Sequence, residues 1–485
     1  QAAVAGVHDD TDYFVSVSQF AQQGYQQQSE QHNQRLFANV GRRLSEQLET
    51  RFSLLYALTD SELPGNLTKA EIGNNPRRAN PANVAGNHHR DYSLLRVSNK
   101  TTYVWDQQRI ELGAWYAYKA LWHPIFQVLD INSNDYGFDV RYVSEAPVAG
   151  RRNIFTVGFS PVRGTATDDR YQNVAGTAGA RTAQSDQTAV NFEIYAENQH
   201  YLTERWVLVL GAQAARSGRK YEDKFFGDGV NNSFDVTYAQ VNPKLGMRYE
   251  ITPAVQIYGN VSRSFEPPSF GELTGGPAIT PVRKQSASTF EAGSRGRIAD
   301  GGWDATYYRA RVKDELLAQN SATGVPLGTI NAPQTLHQGV EFGTDWKLFR
   351  MFEVRAAYFW NDFRFDGHPV YGNNDLPGLP KQYLRAEVLY AASGGFYAGP
   401  NVEWSPQDYA VDMANSWYAD AYAVLGFRIG QRVRKGISWF VDGRNLTDKK
   451  YAATTGVIAD AGGVDSRQFN PGLGRSVFIG MEWKP

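Results

Sequence analysis

Apolar and polar residues alternate with period two along most of this chain. In 51–60 the residues Phe52, Leu54, Tyr56 and Leu58 fall on one face, and Arg51, Ser53, Ala57 and Thr59 on the other. Val190, Phe192, Ile194 and Ala196 alternate with Asn191, Glu193, Tyr195 and Glu197. The same rhythm runs through 255–262, 352–361 and 476–483, where Val477, Ile479, Met481 and Trp483 alternate with Ser476, Phe478, Gly480 and Glu482. Side chains of a strand point to opposite faces in turn, so each stretch predicts a strand with one apolar and one polar face. About twenty such strands of about ten residues span the chain, with no helical segment between them.

The connections predict orientation. Short links fall near 44–48, 102–107, 200–203, 251–253, 298–301, 348–350, 392–394 and 430–433. Long links fall near 61–90, 123–133, 165–183, 223–233, 265–283, 319–328, 366–379, 405–415 and 447–474. Alternating short and long links are the mark of an outer-membrane barrel with short periplasmic turns and long extracellular loops. The predicted fold is all-β: one large antiparallel up-and-down transmembrane barrel, closed so that no strand edge meets lipid. Residues 1–6 read as the tail of an earlier strand and 12–25 as the next. With about 22 strands in a plugged transporter barrel, one strand and most of another are expected upstream of the 485 residues.

Composition agrees. Aromatic residues reach 13%, with 27 Tyr, 26 Phe and 11 Trp, yet the chain is polar on average. That suits a wall greasy on one side and wet on the other. There is no cysteine, which excludes disulfides, thiolate metal sites and a Cys nucleophile. A net charge of -1 makes no case for nucleic acid. No apolar run reaches the roughly 20 residues of a membrane helix. The opening QAAVAG has neither an initiator Met nor a charged leader, and reads as a mature or truncated chain.

Four stretches carry a family resemblance. NVSRSFEPPSFGEL (260–273) resembles the "SRSFRPP…EL" element of TonB-dependent transporters. GRNLTDKKYA (443–452) resembles "NLFDKKY", and GLGRSVFIGMEW (472–483) resembles the closing strand "PGRSVYVGLEY". Residues 31–68 resemble early barrel strands of ferric-citrate-type members. The resemblance implies energised import of a ferric siderophore across the outer membrane of a Gram-negative bacterium. The implied partners are a plug domain, through it TonB–ExbB–ExbD, and outer-membrane lipid and lipopolysaccharide. It implies a monomer with no cofactor of its own, and not an enzyme. The alternatives are another metallophore, cobalamin or a glycan as cargo, a passive diffusion porin, and an outer-membrane hydrolase. Two features depart from the family: its plug and TonB box are not found in these residues, and Lys484 and Pro485 follow Trp483 where an aromatic residue usually ends the chain.

Candidate ligand contacts follow from side-chain chemistry. Arg77, Arg78, His88, His89 and Arg90 cluster in the long link 61–90, where cations suit an anionic iron chelate. Trp115 and Tyr116 are candidates for a pocket lining, with an interfacial aromatic girdle as the plainer explanation. Glu266 and Phe270 flank a Pro-Pro that ends a strand. Asp168 and Asp169 fall far short of an oxygen cage for a cation, so no metal site is expected. Arg51, Arg355 and Arg444 face the polar side and are expected to pair with Glu353, Asp442 or plug groups.

Overall fold

The computed structural model describes residues 1–485 except 228, 277, 280 and 485. Pro485 and single positions of the expected loops 223–233 and 265–283 therefore lie outside the described residues. Strands take 69% of the chain and helix 3%. An ordinary globular domain has about a quarter strand, so backbone hydrogen bonding here is almost entirely ladder. Among the described residues, 21 strands belong to one antiparallel up-and-down sheet.

The chain forms two compact units: residues 1–65, 78–203 and 208–245, and residues 66–77, 204–207 and 246–485. In the first, each strand from Ala2–His8 to Thr177–Tyr201 pairs with the next. The register puts like with like. Ala38, Leu54, Val97, Tyr116 and Tyr136 lie opposite one another in a single row. One residue along, Asn39, Ser53, Ser98 and Trp115 form the matching row of the other face. A one-residue slip would exchange the two sets, so the alternation itself specifies register.

The second unit runs in the same manner from Val255–Glu266 to Phe352–Phe365. It continues through Gln382–Ala391, Phe396–Ser405, Tyr422–Gln431, Gly436–Arg444 and Ser476–Lys484. On its apolar face Val477, Ile479, Met481 and Trp483 are 63% to 74% exposed. Apolar surface of that extent is stable only against another apolar phase. The two clusters of buried hydrophobic residues are built largely from the long connections of this unit.

Three expected long loops turn out to be strand. The links at 123–133 and 165–183 shrink to two-residue turns at 125–126 and 175–176, and that at 319–328 to residues 321–325. Thr177–Tyr201 has 25 residues, about 80 Å of strand at about 3.3 Å per residue. A bilayer crossing needs about 9–11 residues. These strands continue past any membrane band, where both faces are polar and the alternation that marks a strand is lost. Side-chain bonds replace it: Gln187 Nε2 donates across to Asp168 Oδ2 at 3.1 Å, and Arg170 pairs with Asp168 along the same strand at 2.7 Å. Ala175 and Gly176, at φ 51° and 92°, close the tip as a hairpin turn. A further connection at 145–152, on the side of the short links, went unrecognised in the sequence.

Packing within the second unit is tight at Gly399. A Cβ there would lie 1.8 Å from the Val388 carbonyl oxygen, a backbone atom that cannot swing aside. Gly399→Ala is expected to destabilise the barrel by about 1–3 kcal/mol. The check is the temperature at which the fast-migrating folded band is lost in unboiled gel samples.

Candidate functional site

The polar face of the second unit carries a cavity of about 670 Å³. Strands contribute Arg355, Arg385, Glu387, Arg428, Asp442 and Arg444, and the long connection 445–475 folds Tyr451 and Leu473 into the lining. Its charges are networked. Arg428 reaches Glu387 at 3.3 Å and Asp442 at 3.2 Å, and Arg444 meets Asp442 at 2.9 Å. Arg355 lies 3.7 Å from Glu353 and 4.0 Å from Glu387. Two of the pairings expected from sequence are therefore present. Arg51, in the first unit, pairs instead with Asp12 at 2.7 Å and Glu49 at 3.3 Å. Arg385 is exposed on the polar face and forms no ion pair among the described residues.

The long connections of this unit are knitted to one another. Leu67 and Phe469 are fully buried together and exchange backbone hydrogen bonds at 2.8 and 3.0 Å. The short helix Lys69–Asn74 begins with a capping box between Thr68 and Glu71. The Asp465 carboxylate accepts from the first helical N–H groups, Lys69 at 2.9 Å and Ala70 at 3.0 Å. Glu71 pairs with Arg467 at 3.0 Å, and Lys69 with Asp420. At the centre lies Asp412, fully buried. Its carboxylate accepts from the N–H groups of Ser416 (2.9 Å), Trp417 (3.0 Å) and Ala461 (2.9 Å), and from the Ser416 hydroxyl at 2.5 Å. One side chain thus ties connection 406–421 to connection 445–475. No periodicity marks Asp412 in the sequence, because its partners lie on backbone far along the chain.

In the first unit the link 78–90 carries the short helix Pro81–Ala85, capped by Asn80. His89 Nε2 lies 3.4 Å from Asp91 Oδ2, and the His89 carbonyl accepts from His123 Nδ1 at 2.8 Å. His123 joins His88 and His89 and was not singled out in the sequence. Burial, then the neighbouring His123 and His89, hold His88 below the ordinary histidine value of 6.5. No group of three or more potential metal ligands converges among the described residues.

The other candidates are dispersed. Arg78 presents its carbonyl to Gln26 Nε2 at 3.1 Å. Arg90 is exposed beside the histidines. Arg77 belongs to the second unit, its N–H held by Asn75 Oδ1 at 3.1 Å. Trp115 lies on the polar face with Arg96 5.6 Å from its ring. Tyr116 does not share that face. It stands on the apolar side, its hydroxyl donating to Asn134 Oδ1 at 2.7 Å. Adjacent strand residues point oppositely, so the pair cannot line one pocket. Glu266 accepts from Gln285 Nε2 at 2.8 Å, and Phe270 opens the short helix Phe270–Thr274 behind Ser269.

Residues 8–446 match the family described as "TonB dependent receptor-like, beta-barrel". The chain belongs to this TonB-dependent receptor β-barrel family. A curated relative, the ferric-pyoverdine M114 receptor PbuA of Pseudomonas sp. (strain M114), is 23% identical over 373 residues. That alignment takes in 68% of this chain, which spans only 44% of the relative's length. Among solved structures, the unliganded ferric citrate transporter FecA superposes with TM-score 0.83 at 14% identity, over 99% of this chain and 74% of that one. The ferric yersiniabactin uptake receptor FyuA from Yersinia pestis gives 0.81 at 15% identity, over 99% and 76%. The fold is therefore the large antiparallel barrel of TonB-dependent receptors. In an outer-membrane barrel apolar rows face lipid and polar rows the lumen.

Asp412→Ala would leave three backbone N–H donors unmet and is expected to cost about 3 kcal/mol locally. Hydrogen exchange at 409–419 and 458–461 should quicken roughly a hundredfold, with the strand ladders unchanged. The histidine link should respond to acid. A histidine held low is neutral in the ordered loop, so proton uptake favours the open form. Its order is complete above 6.5 and is lost as pH falls towards the depressed value. Protection at 83–90, corrected for the intrinsic exchange rate, should therefore fall as pH drops below about 6.5, and less so in His88→Gln.

Proposed function

We propose that this chain is the barrel domain of an outer-membrane receptor that imports a ferric siderophore. The observation that carries the reading is the family match over residues 8–446, joined to a curated relative named for ferric pyoverdine. The relatives FecA and FyuA are named for ferric citrate and ferric yersiniabactin. In this reading extracellular connections capture the chelate, a plug domain blocks passive flow, and TonB–ExbB–ExbD pulls on the plug to open a path. The lumenal network around Arg355, Arg428 and Arg444, with exposed Arg385, supports it as a docking wall for plug or passing cargo. Residues 1–485 act as one barrel domain, a monomer in outer-membrane lipid, with no cofactor and no nucleic-acid partner.

Arg78 and Arg90, on the same link as His88 and His89, are the proposed first contacts for an anionic chelate, with the two histidines beside them. Arg77, Trp115, Glu266 and Phe270 are secondary candidates, and Tyr116 is assigned to the lipid-facing girdle.

The test uses the natural full-length protein in a host lacking its own ferric-siderophore receptors. Radioactive iron is offered as hydroxamate, catecholate and carboxylate chelates under iron starvation. Uptake of at least one, abolished by loss of TonB, is expected. Uptake of none, alongside TonB-dependent use of cobalamin or a glycan, would reassign the cargo. Energy-independent ion conductance would make the protein a porin. Arg90→Glu should weaken binding of the transported chelate about tenfold, the value of one charge-assisted contact.

A further inference from the structure

The connection 366–381 of the second unit is held in two different ways. Residues 374–378 are docked on a neighbouring connection. Asn374 Nδ2 donates to the Met413 carbonyl at 3.0 Å, the Asp375 N–H to Asn415 Oδ1 at 2.8 Å, and the Gly378 N–H to the Ala410 carbonyl at 2.8 Å. Among the described residues, 367–373 hydrogen-bond only within themselves and to Asn374. His368 and Gly372 exchange backbone bonds at 2.8 Å each. Between them Pro369 brings no N–H. The two remaining donors, Val370 N–H at 3.1 Å and Tyr371 N–H at 3.2 Å, both go to the His368 Nδ1. Val370 stands outward at 77% exposure, so burial of the tip does not hold the turn. The histidine does.

The imidazole lies on an apolar cluster. Its ring centre is 5.0 Å from that of Phe365 and 4.9 Å from that of Tyr371, and Tyr371 is 5.2 Å from Phe365. Phe365 is fully buried with Ala332, Leu376 and Met413. A nitrogen that accepts two N–H bonds carries no proton, so the closed turn requires the neutral ring with its hydrogen on Nε2. A proton on Nδ1 would set three N–H groups against one another and place charge beside Phe365. Burial holds His368 below the ordinary histidine value of 6.5. No carboxylate pairs with it among the described residues, because those around it are engaged. Asp366 accepts from Gln334 at 2.5 Å, Asp362 is held by Arg364 at 3.7 Å, and Asp375 by Lys381 at 2.8 Å. His337, stacked on Phe363, pairs with Glu315 at 3.1 Å. From the connections 406–421 and 445–475, Asp412 and Asp460 act on Tyr371, whose hydroxyl burial first and then these carboxylates push up.

We infer that His368 is a proton-operated lock on the turn 367–373: the neutral imidazole closes the turn over Phe365, and the protonated imidazole releases it while 374–378 stay docked. Release uncovers an apolar surface made by Phe365 and Tyr371. The lock is complete above about 6.5 and is lost as pH falls towards the depressed value. Uptake of one proton shifts the open population by at most about tenfold per pH unit. The device rests on the outer-membrane reading above only for the side from which the proton comes, which is the outside of the cell, and on no particular cargo.

The experiment is hydrogen exchange of the natural full-length protein in detergent, from about pH 7.5 to about pH 5 and corrected for the intrinsic exchange rate. In the wild type, protection at 367–373 should fall below about pH 6.5 by up to about tenfold per pH unit, and protection at 374–378 should not. His368→Asn puts an amide oxygen, which does not titrate, where Nδ1 accepts the two N–H bonds. Its turn should stay protected across the whole range. His368→Ala should be poorly protected at every pH, and His88→Gln should behave as wild type. A wild-type turn whose protection does not change with pH would overturn the proposal. So would a pH dependence retained in full by His368→Asn, an equal loss at 374–378, or a His368→Ala turn as protected as wild type at neutral pH. Folding is read from unboiled gel mobility, and should His368→Ala fail it, wild type against His368→Asn carries the comparison. Membrane fractionation of the wild type tests the outer-membrane reading separately, since the lock is read in detergent.

Discussion

Inside hydrocarbon no water is available to a peptide group, so every N–H and C=O of a spanning segment must be met by another part of the chain. A strand meets half of that demand on each side. This one constraint accounts for a fold in which 69% of residues are strand and each strand is antiparallel to its sequence neighbour. It also accounts for the inversion of ordinary packing. Val477, Ile479 and Met481 stand outward and exposed, while Arg51, Asp442 and Arg428 face inward.

The inverted packing leaves the chain without a conventional core in its wall, and the structure makes one elsewhere. In the second unit the long connections bury Leu67, Phe469, Phe365 and Met413 and are tied by Asp412. These connections are a small folded assembly standing on strand ends. A receptor of this family has to hold a binding surface open to bulk water, and backbone there can be satisfied only by side chains and by other connections. The Asp412 carboxylate and the Asp465 cap do that. The lumenal network solves a related problem: Asp442 is almost fully buried between Arg428 and Arg444, so its charge is neutralised within the wall.

Charge also distinguishes the two faces at the membrane margin. Lumenal cations are largely paired with lumenal carboxylates, as at Arg355 and Arg428. On the apolar face Arg263, Arg309 and Arg311 form no ion pair among the described residues. The same residue type therefore has different consequences on the two faces of one strand. Arg309 and Tyr308 are adjacent in sequence, yet Tyr308 donates to Asn361 in the lumen and Arg309 stands among lipid-facing aromatics.

Period-two alternation was local, and local information was enough to place the membrane-crossing strands, their two faces and the side of the short turns. The motifs at 260–273, 443–452 and 472–483 were enough for the family. Sequence also separated Phe52 from Arg51 and Val477 from Ser476 correctly, because a bilayer imposes opposite chemistry on adjacent residues. Beyond the band that pressure ends, so the strands carrying Asp168 and Gln187 read as loops until their cross-strand partners were seen. Asp412 and His123 were invisible for a related reason. Each owes its meaning to neighbours tens of residues away, brought alongside by strand register and loop docking, and no residue's own sequence neighbourhood records who its spatial neighbours will be.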